Sequence, residues 1–180
     1  MMRKKPMLAY PVSDKPIDYT KPVFMQPKLD GVRCLIQAEN YSDKGTIVPV
    51  VTAYSRTGKE WKNIDHILDS LVPFFTKYPN VILDGELYNH ALRDDFEKII
   101  SCVRKQKPTA IDRAESRKLV QFHCYDIVDE TITFEERYKF VDFNLKDPSI
   151  YGVRTVKTII TPTESQAKVN HARNLDAGFE

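Results

Sequence analysis

An Asp-Gly pair, Asp30-Gly31, lies between two β-prone runs at residues 23–27 and 32–38, and this constrains the fold of the chain more than any other feature. Such a pair between such runs predicts a tight turn joining antiparallel strands, with Lys28 at a strand end beside the turn. A polar connection at 39–45 leads to a third run at 46–54. That run ends in Ser55-Arg56-Thr57-Gly58, again a turn composition. The spacing predicts a meander of antiparallel strands.

Helical periodicity then interrupts the strands. Ile64, Ile67, Leu68, Leu71, Phe74 and Phe75 mark a helix over 63–77, with Asn63 as its N-cap and Pro73 as a kink or early stop. Residues 81–88 return as a strand interrupted by Asp84-Gly85-Glu86, and Phe96, Ile99, Ile100 and Val103 form the apolar face of a second helix. The polar, basic stretch 105–118 contains Pro108 and reads as an exposed loop. A β-type run follows at 119–128, where alternation puts Phe122 and Cys124 on one face and His123 and Tyr125 on the other. A short helix over 134–143 and a strand over 153–160 come next. Thr163-Glu-Ser-Gln166 then resembles a capping box opening a helix to about Asp176. Gly178 stops it, and Phe179 and Glu180 begin one more strand.

The first 22 residues carry Pro6, Pro11, Pro16 and Pro22 and read as an extended arm over the domain. Residues 23–180 form one unit, because 180 residues bury a substantial core but do not build two full-sized domains. The expected class is α+β, antiparallel sheets flanked by helices around a cleft. A net charge of +2 leaves the partner open, although basic residues concentrate at 3–5, 104–107 and 113–118. No stretch approaches the length of a membrane span, and nothing directs export. Cys34, Cys102 and Cys124 are odd in number and lack a C-x-x-C pair, which argues against disulfides and zinc and for a reducing cytoplasm. His123 and Cys124 lack further ligands at useful spacing, and His66, His90 and His171 are isolated, with surface or loop roles.

Lys28-Leu-Asp-Gly-Val-Arg33 fits K-x-D-G-x-R. A lysine attacks the α-phosphorus of a nucleoside triphosphate only as the neutral amine, so it needs desolvation or neighbouring cations. Arg33, two residues beyond the turn, supplies a fixed guanidinium for a phosphate or sugar oxygen. A bare K-x-D-G also describes an ordinary surface lysine before a hairpin. With Arg33, four fixed positions match by chance roughly once in 10⁵ windows. Ile82-Leu-Asp-Gly-Glu86-Leu sets a carboxylate in an apolar run, which is costly without a hydrogen-bonding or cationic partner.

On these motifs and their order the sequence resembles the ATP-dependent DNA ligases, especially short phage-type ones, from the proline-rich arm to the last residue. The resemblance implies the nucleotidyltransferase fold around an ATP cleft, with Lys28 carrying AMP covalently and sealing nicked duplex DNA through an adenylated 5′-phosphate. It makes ATP and Mg²⁺ the cofactors. Arg56 in S-R-T-G would contact the nucleotide or a DNA phosphate, Glu86 the ribose hydroxyl or the metal, and Tyr125 would stack on the purine where many members have Phe. Gln26 would contact the adenine edge, and Glu180, in the beginning of an E-G motif, the metal. The resemblance also demands a following K-x-K strand and an oligonucleotide-binding barrel, which these 180 residues lack, so the adenylation domain is expected to be C-terminally incomplete here. The expected state is a monomer, in the host cytoplasm if the protein is viral. RNA ligases and GTP-dependent capping enzymes share K-x-D-G, and a truncated, non-catalytic nucleotide-binding module is the alternative of a different class.

Overall fold

The computed structural model describes residues 6–43 and 46–180. In chain order the elements are β1 (Val23–Met25), β2 (Val32–Asp43), β3 (Thr46–Tyr54), α1 (Asp65–Ser70), α2 (Val72–Lys77) and β4 (Leu83–Tyr88). These are followed by α3 (Phe96–Val103), α4 (Ala110–Leu119), β5 (Gln121–Ile127), α5 (Phe134–Leu145), β6 (Val153–Thr155), β7 (Ile159–Thr161) and α6 (Glu164–Asp176). A five-stranded sheet runs β3-β2-β4-β5-β6, and a two-stranded sheet pairs β1 with β7. All pairings are antiparallel except β5 with β6. The class is α+β, as the sequence leads one to expect.

Strand alternation divides the large sheet into two faces. Cys34, Ile36, Leu83, Leu87, Phe122 and Cys124 are buried on one face, in a core shared with Ile64, Ile67, Leu71 and Phe75 of the α1–α2 region and Val141 and Leu145 of α5. Burying these side chains is the main driving term for folding, at about 25 cal/mol per Å² removed from water. Arg33, Asp84, Glu86, His123 and Tyr125 alternate with them, so the opposite face is polar. All three cysteines are free and buried.

The structure corrects several expectations. β1 and β2 are not a hairpin: β1 leaves for β7, and Lys28-Leu-Asp-Gly31 bridges the two sheets. Positive φ angles occur at Gly58, Gly152 and Gly178. Gly31 is needed for close approach instead, since a Cβ there would lie 2.5 Å from Glu86 Cγ and 2.7 Å from the Leu87 carbonyl oxygen. The polar residues 39–43 extend β2, and 44–45 lie outside the described residues, as does the basic cluster at 3–5. Asp84-Gly85-Glu86 stays within β4, and the interruption takes the form of a register shift against β5 at Asp84/Gly85.

The segment 105–118 is mostly helix. Thr109 and Asp112 form a capping box, each side chain satisfying the other's backbone N–H, and this opens α4 just after Pro108. Asn63 does not cap α1; its amide donates to the Cys102 and Asp112 carbonyl oxygens at 2.9 and 3.2 Å. Pro73 falls in the first turn of α2, where its missing N–H costs nothing, so the 63–77 region becomes two helices. Residues 153–160 split into β6 and the start of β7, one in each sheet. Thr163 caps α6 through the Gln166 N–H, and the helix ends at Asp176 with Gly178 at φ +84°. Phe179 and Glu180 form no strand, although the Glu180 N–H donates to the Lys28 carbonyl oxygen at 3.1 Å.

Candidate active site

The polar face of the large sheet gathers the motif residues because strand register aligns them. Arg33 of β2 is the cross-strand partner of Glu86, and Leu35 that of Asp84, which sets the Arg33 side chain diagonally across from Asp84. The guanidinium grips Asp84 through Nε–Oδ1 at 2.9 Å and Nη2–Oδ2 at 2.6 Å, while Nη2 also donates to the Met7 carbonyl oxygen at 2.9 Å. The N-terminal segment is thus tied across the site. Burial pushes the Asp84 carboxyl up and Arg33 pulls it back; the bidentate geometry keeps the pair ionised.

Glu86 sits beside this pair. Burial raises its carboxyl to about 7, opposed by Arg33 and, more weakly, by Lys28, while Asp84 reinforces the rise. The Tyr125 hydroxyl donates to Glu86 Oε2 at 3.5 Å, and the Arg33 guanidinium lies 5.6 Å from the Tyr125 ring centroid, a cation–π contact. Burial, followed by the charges of Asp84 and Glu86, keeps the phenol protonated. Gln26 reaches the same strand from β1's side: its amide donates to the Tyr125 carbonyl oxygen at 3.0 Å and to Thr158 Oγ1 at 2.9 Å. Gln26, Arg33, Glu86 and Tyr125 therefore form one connected cluster.

Lys28 is exposed and ion-paired with Glu180, whose backbone N–H also binds the Lys28 carbonyl oxygen. The end of α6 is held by a latch. His90, in the short 3₁₀ turn after β4, stacks on Phe179 at 4.4 Å between centroids and 27° between planes. Its Nε2 lies 3.0 Å from the Ala177 carbonyl oxygen, and its Nδ1 lies 2.7 Å from the Tyr88 hydroxyl. A carbonyl only accepts, so Nε2 carries the proton and Tyr88 donates to Nδ1. Arg56 stands apart from the cluster, exposed on the Ser55–Lys59 turn.

A cleft of about 730 Å³ extends along the same sheet face, lined by Tyr88, His123, Met25, Pro27, Leu29 and Phe179 among others. Pro27 and Leu29 alternate with Gln26 and Lys28, which are not among its lining residues. Tyr88 and His123 lie two residues along their strands from Glu86 and Tyr125, so cleft and cluster share one wall. His123 remains neutral near pH 7, because burial lowers its pKa to about 4 with Arg154 and His90 adding to the effect.

Sequence reasoning missed three of these residues. Asp84 is the anchor of Arg33, and at 1% side-chain exposure its charge requires a cationic partner; placing Asp84 on Glu86's strand face was the available signal. His90 is part of the latch, and His66 is buried, its Nε2 3.0 Å from the Val120 carbonyl oxygen, so neither has a mere surface or loop role. His171 is exposed. Among the described residues no group of three or more His, Cys, Asp or Glu is arranged to cage a metal.

A five-stranded and a two-stranded sheet joined by a lysine-bearing segment, with a carboxylate, an arginine and an aromatic ring on the strands of the larger one, make up a nucleotidyltransferase fold of the kind found in DNA ligases. Residues 6–180 match the ATP dependent DNA ligase domain, and the chain belongs to that family. No curated protein matches it. Among solved structures it is similar to a Lig E DNA ligase from a study of DNA binding with a minimal scaffold, with a TM-score of 0.68 and 18% identity over 99% of this chain and 60% of that one. It is also similar to structures named Pmar-Lig_Pre and Pmar-Lig_PreS3, with TM-scores of 0.65 and 0.59 and 19% identity in each case. These alignments cover 96% and 87% of this chain and 40% and 36% of theirs. The chain thus spans less than two thirds of the length of each of these structures. No helix among the described residues is long and apolar enough to cross a membrane.

Proposed function

We propose that this chain is the adenylation domain of an ATP-dependent DNA ligase that seals nicks in duplex DNA through a lysyl-AMP intermediate on Lys28. The observation that carries this reading is the convergence of Gln26, Arg33, Glu86 and Tyr125 into one cluster beside Lys28. In the reaction, the Lys28 Nζ lone pair attacks the α-phosphorus of ATP. A P–N bond forms, the bond to the bridging oxygen breaks, and pyrophosphate leaves with that electron pair. The 5′-phosphate of a nick then takes AMP from Lys28, and the 3′-hydroxyl displaces AMP to close the strand.

The chain's own groups have distinct tasks in this scheme. Arg33, immobilised by Asp84, presents fixed positive potential to the nucleotide. Tyr125 offers a ring to the purine, and Gln26 a polar edge. Glu86, its carboxyl raised to about 7, can accept from a ribose hydroxyl or take up a proton. The family implies Mg²⁺. Glu86 and Glu180 both interact with Lys28, and two carboxylates completed by phosphate oxygens are a donor set that suits this ion. Held there, the ion would neutralise charge on the triphosphate.

The test is incubation of the purified chain, and of Lys28→Ala, with α-labelled ATP or GTP and Mg²⁺. Acid-labile label that survives denaturation, comes from ATP and is absent in the variant is the expected result. A folded wild-type chain that takes no label would overturn self-adenylation by these residues.

A further inference from the structure

Thr158 stands in the connection between β6 and β7, outside every motif that points to the cluster. The antiparallel register of the small sheet, Met25 against Ile159, continues by one step to set Gln26 opposite Thr158. There the Gln26 amide nitrogen donates to two oxygens, the Tyr125 carbonyl at 3.0 Å and Thr158 Oγ1 at 2.9 Å. Thr158 Oγ1 in turn donates to the Val156 carbonyl oxygen at 3.3 Å, and the Val156 N–H is anchored on the Cys124 carbonyl oxygen at 2.8 Å.

These bonds fix which way round the Gln26 amide lies. An amide nitrogen carries two hydrogens, and here both are committed to protein acceptors. The Thr158 hydrogen is committed to Val156, so Oγ1 meets Gln26 as an acceptor. The reverse orientation would set Gln26 Oε1 against the Tyr125 carbonyl oxygen, which has no hydrogen to give. Oε1 is thus the amide atom left for a ligand, and it only accepts. An acceptor at the edge of a purine bonds an exocyclic amine, the 6-amino group of adenine, and repels a carbonyl oxygen, O6 of guanine.

We infer that Thr158 is a positioning residue that sets the nucleobase preference of the site: by holding the Gln26 amide in one orientation it favours adenine over guanine nucleotides without touching the base. The inference rests on the ligase reading for placing the purine beside Gln26 and Tyr125. Without the Thr158 hydroxyl, one Gln26 N–H loses its acceptor while the other keeps the Tyr125 carbonyl oxygen. The freed N–H can then turn toward the base and bond O6 of guanine, so the discrimination built on a fixed acceptor is lost.

The experiment measures binding of ATP and of GTP to the full chain by isothermal titration without Mg²⁺, with labelling of Lys28 from each nucleotide followed in parallel with Mg²⁺. Wild type is compared with Thr158→Val, which keeps the shape and removes the oxygen, and with Thr158→Ser, which keeps the oxygen. We expect Thr158→Val to lower the ratio of ATP to GTP affinity about tenfold or more, with the labelling rate at saturating ATP within about twofold of wild type. Thr158→Ser should retain the wild-type ratio, and Thr158→Ala carries the same expectation as valine should valine disturb the β6–β7 connection. An unchanged ratio in the valine and alanine variants, an equal loss for both nucleotides, or a serine variant that behaves as valine overturns the inference. A wild-type chain that binds the two nucleotides equally, or binds neither, overturns it as well. Selective binding that responds as expected in a chain that takes no label at Lys28 sustains the role of Thr158 and removes the catalytic reading; labelling from ATP with an unmoved ratio does the reverse.

Discussion

Arg33 and Asp84 form a two-pronged ion pair, 2.9 and 2.6 Å long, with the carboxylate 1% exposed and the guanidinium 24% exposed. Removing one partner leaves the other charge buried without compensation. Arg33→Ala should therefore cost about 3–5 kcal/mol in urea unfolding. The double change Arg33→Met/Asp84→Leu should restore much of that stability without restoring labelling of Lys28. A double variant no more stable than Arg33→Ala would show that the pair does not set this part of the fold.

Glu86 makes the stability of the domain depend on pH. Its folded-state pKa of about 7 exceeds the ordinary 4.5, so the folded chain holds the proton more tightly than the unfolded one. Its contribution is full below pH 4.5 and is lost as pH rises towards 7, by up to about 3 kcal/mol at 1.36 kcal/mol per unit. His123, lowered to about 4, acts in the opposite sense, losing stability as pH falls from 6.5 towards 4. The clean measurement is therefore the difference between Glu86→Gln and wild type. The variant should gain on wild type from pH 5 to pH 8, and parallel profiles would refute the assignment.

Gly85 and Gly178 are small for different reasons, and their substitutions should rank accordingly. A Cβ on Gly85 would collide with the His123 carbonyl oxygen and the Phe122 ring, neither of which can move without opening the sheet. Gly178 has φ +84°, and its added Cβ would meet the flexible end of Arg93. Gly85→Ala should cost about 3 kcal/mol or more, and Gly178→Ala about 1–2 kcal/mol. Thermal unfolding of the two variants checks the order.

The His90 latch predicts a local effect. His90→Ala removes the Phe179 stack, the bond to the Ala177 carbonyl oxygen and the acceptor of the Tyr88 hydroxyl. Amide exchange at Glu180 should accelerate about tenfold or more, while Phe122 in β5 remains protected. Unchanged exchange at Glu180 would mean that its bond to the Lys28 carbonyl oxygen is sufficient without the latch.

Much of the site was legible in the sequence because its residues sit in short motifs, each fixed by local spacing: Lys28 with Arg33, Glu86 after its Asp-Gly pair, Tyr125 in an alternating strand. The partners of those residues were not. Asp30-Gly31 suggests a hairpin on local grounds, yet β1 bonds to β7 near the other end of the chain, and no local rule reports that choice. The 105–118 stretch shows too little apolar periodicity to be read as a helix. Thr109 and Asp112, three residues apart, are the signal that reveals it. His90 gains its role from Phe179 and Ala177, far away in sequence, and contacts between distant residues leave no trace in composition.

The pairing of β1 with β7, Val23 against Thr161, also has a kinetic meaning. Strands so far apart in sequence close a long loop and come together late in folding, after the local β2–β3–β4 contacts have formed. During synthesis the Lys28 segment emerges early but gains its place only once β7 and α6 have left the ribosome. Until β7 has paired, the segment that carries Lys28 is synthesised but unassembled, so its geometry depends on residues made long after it.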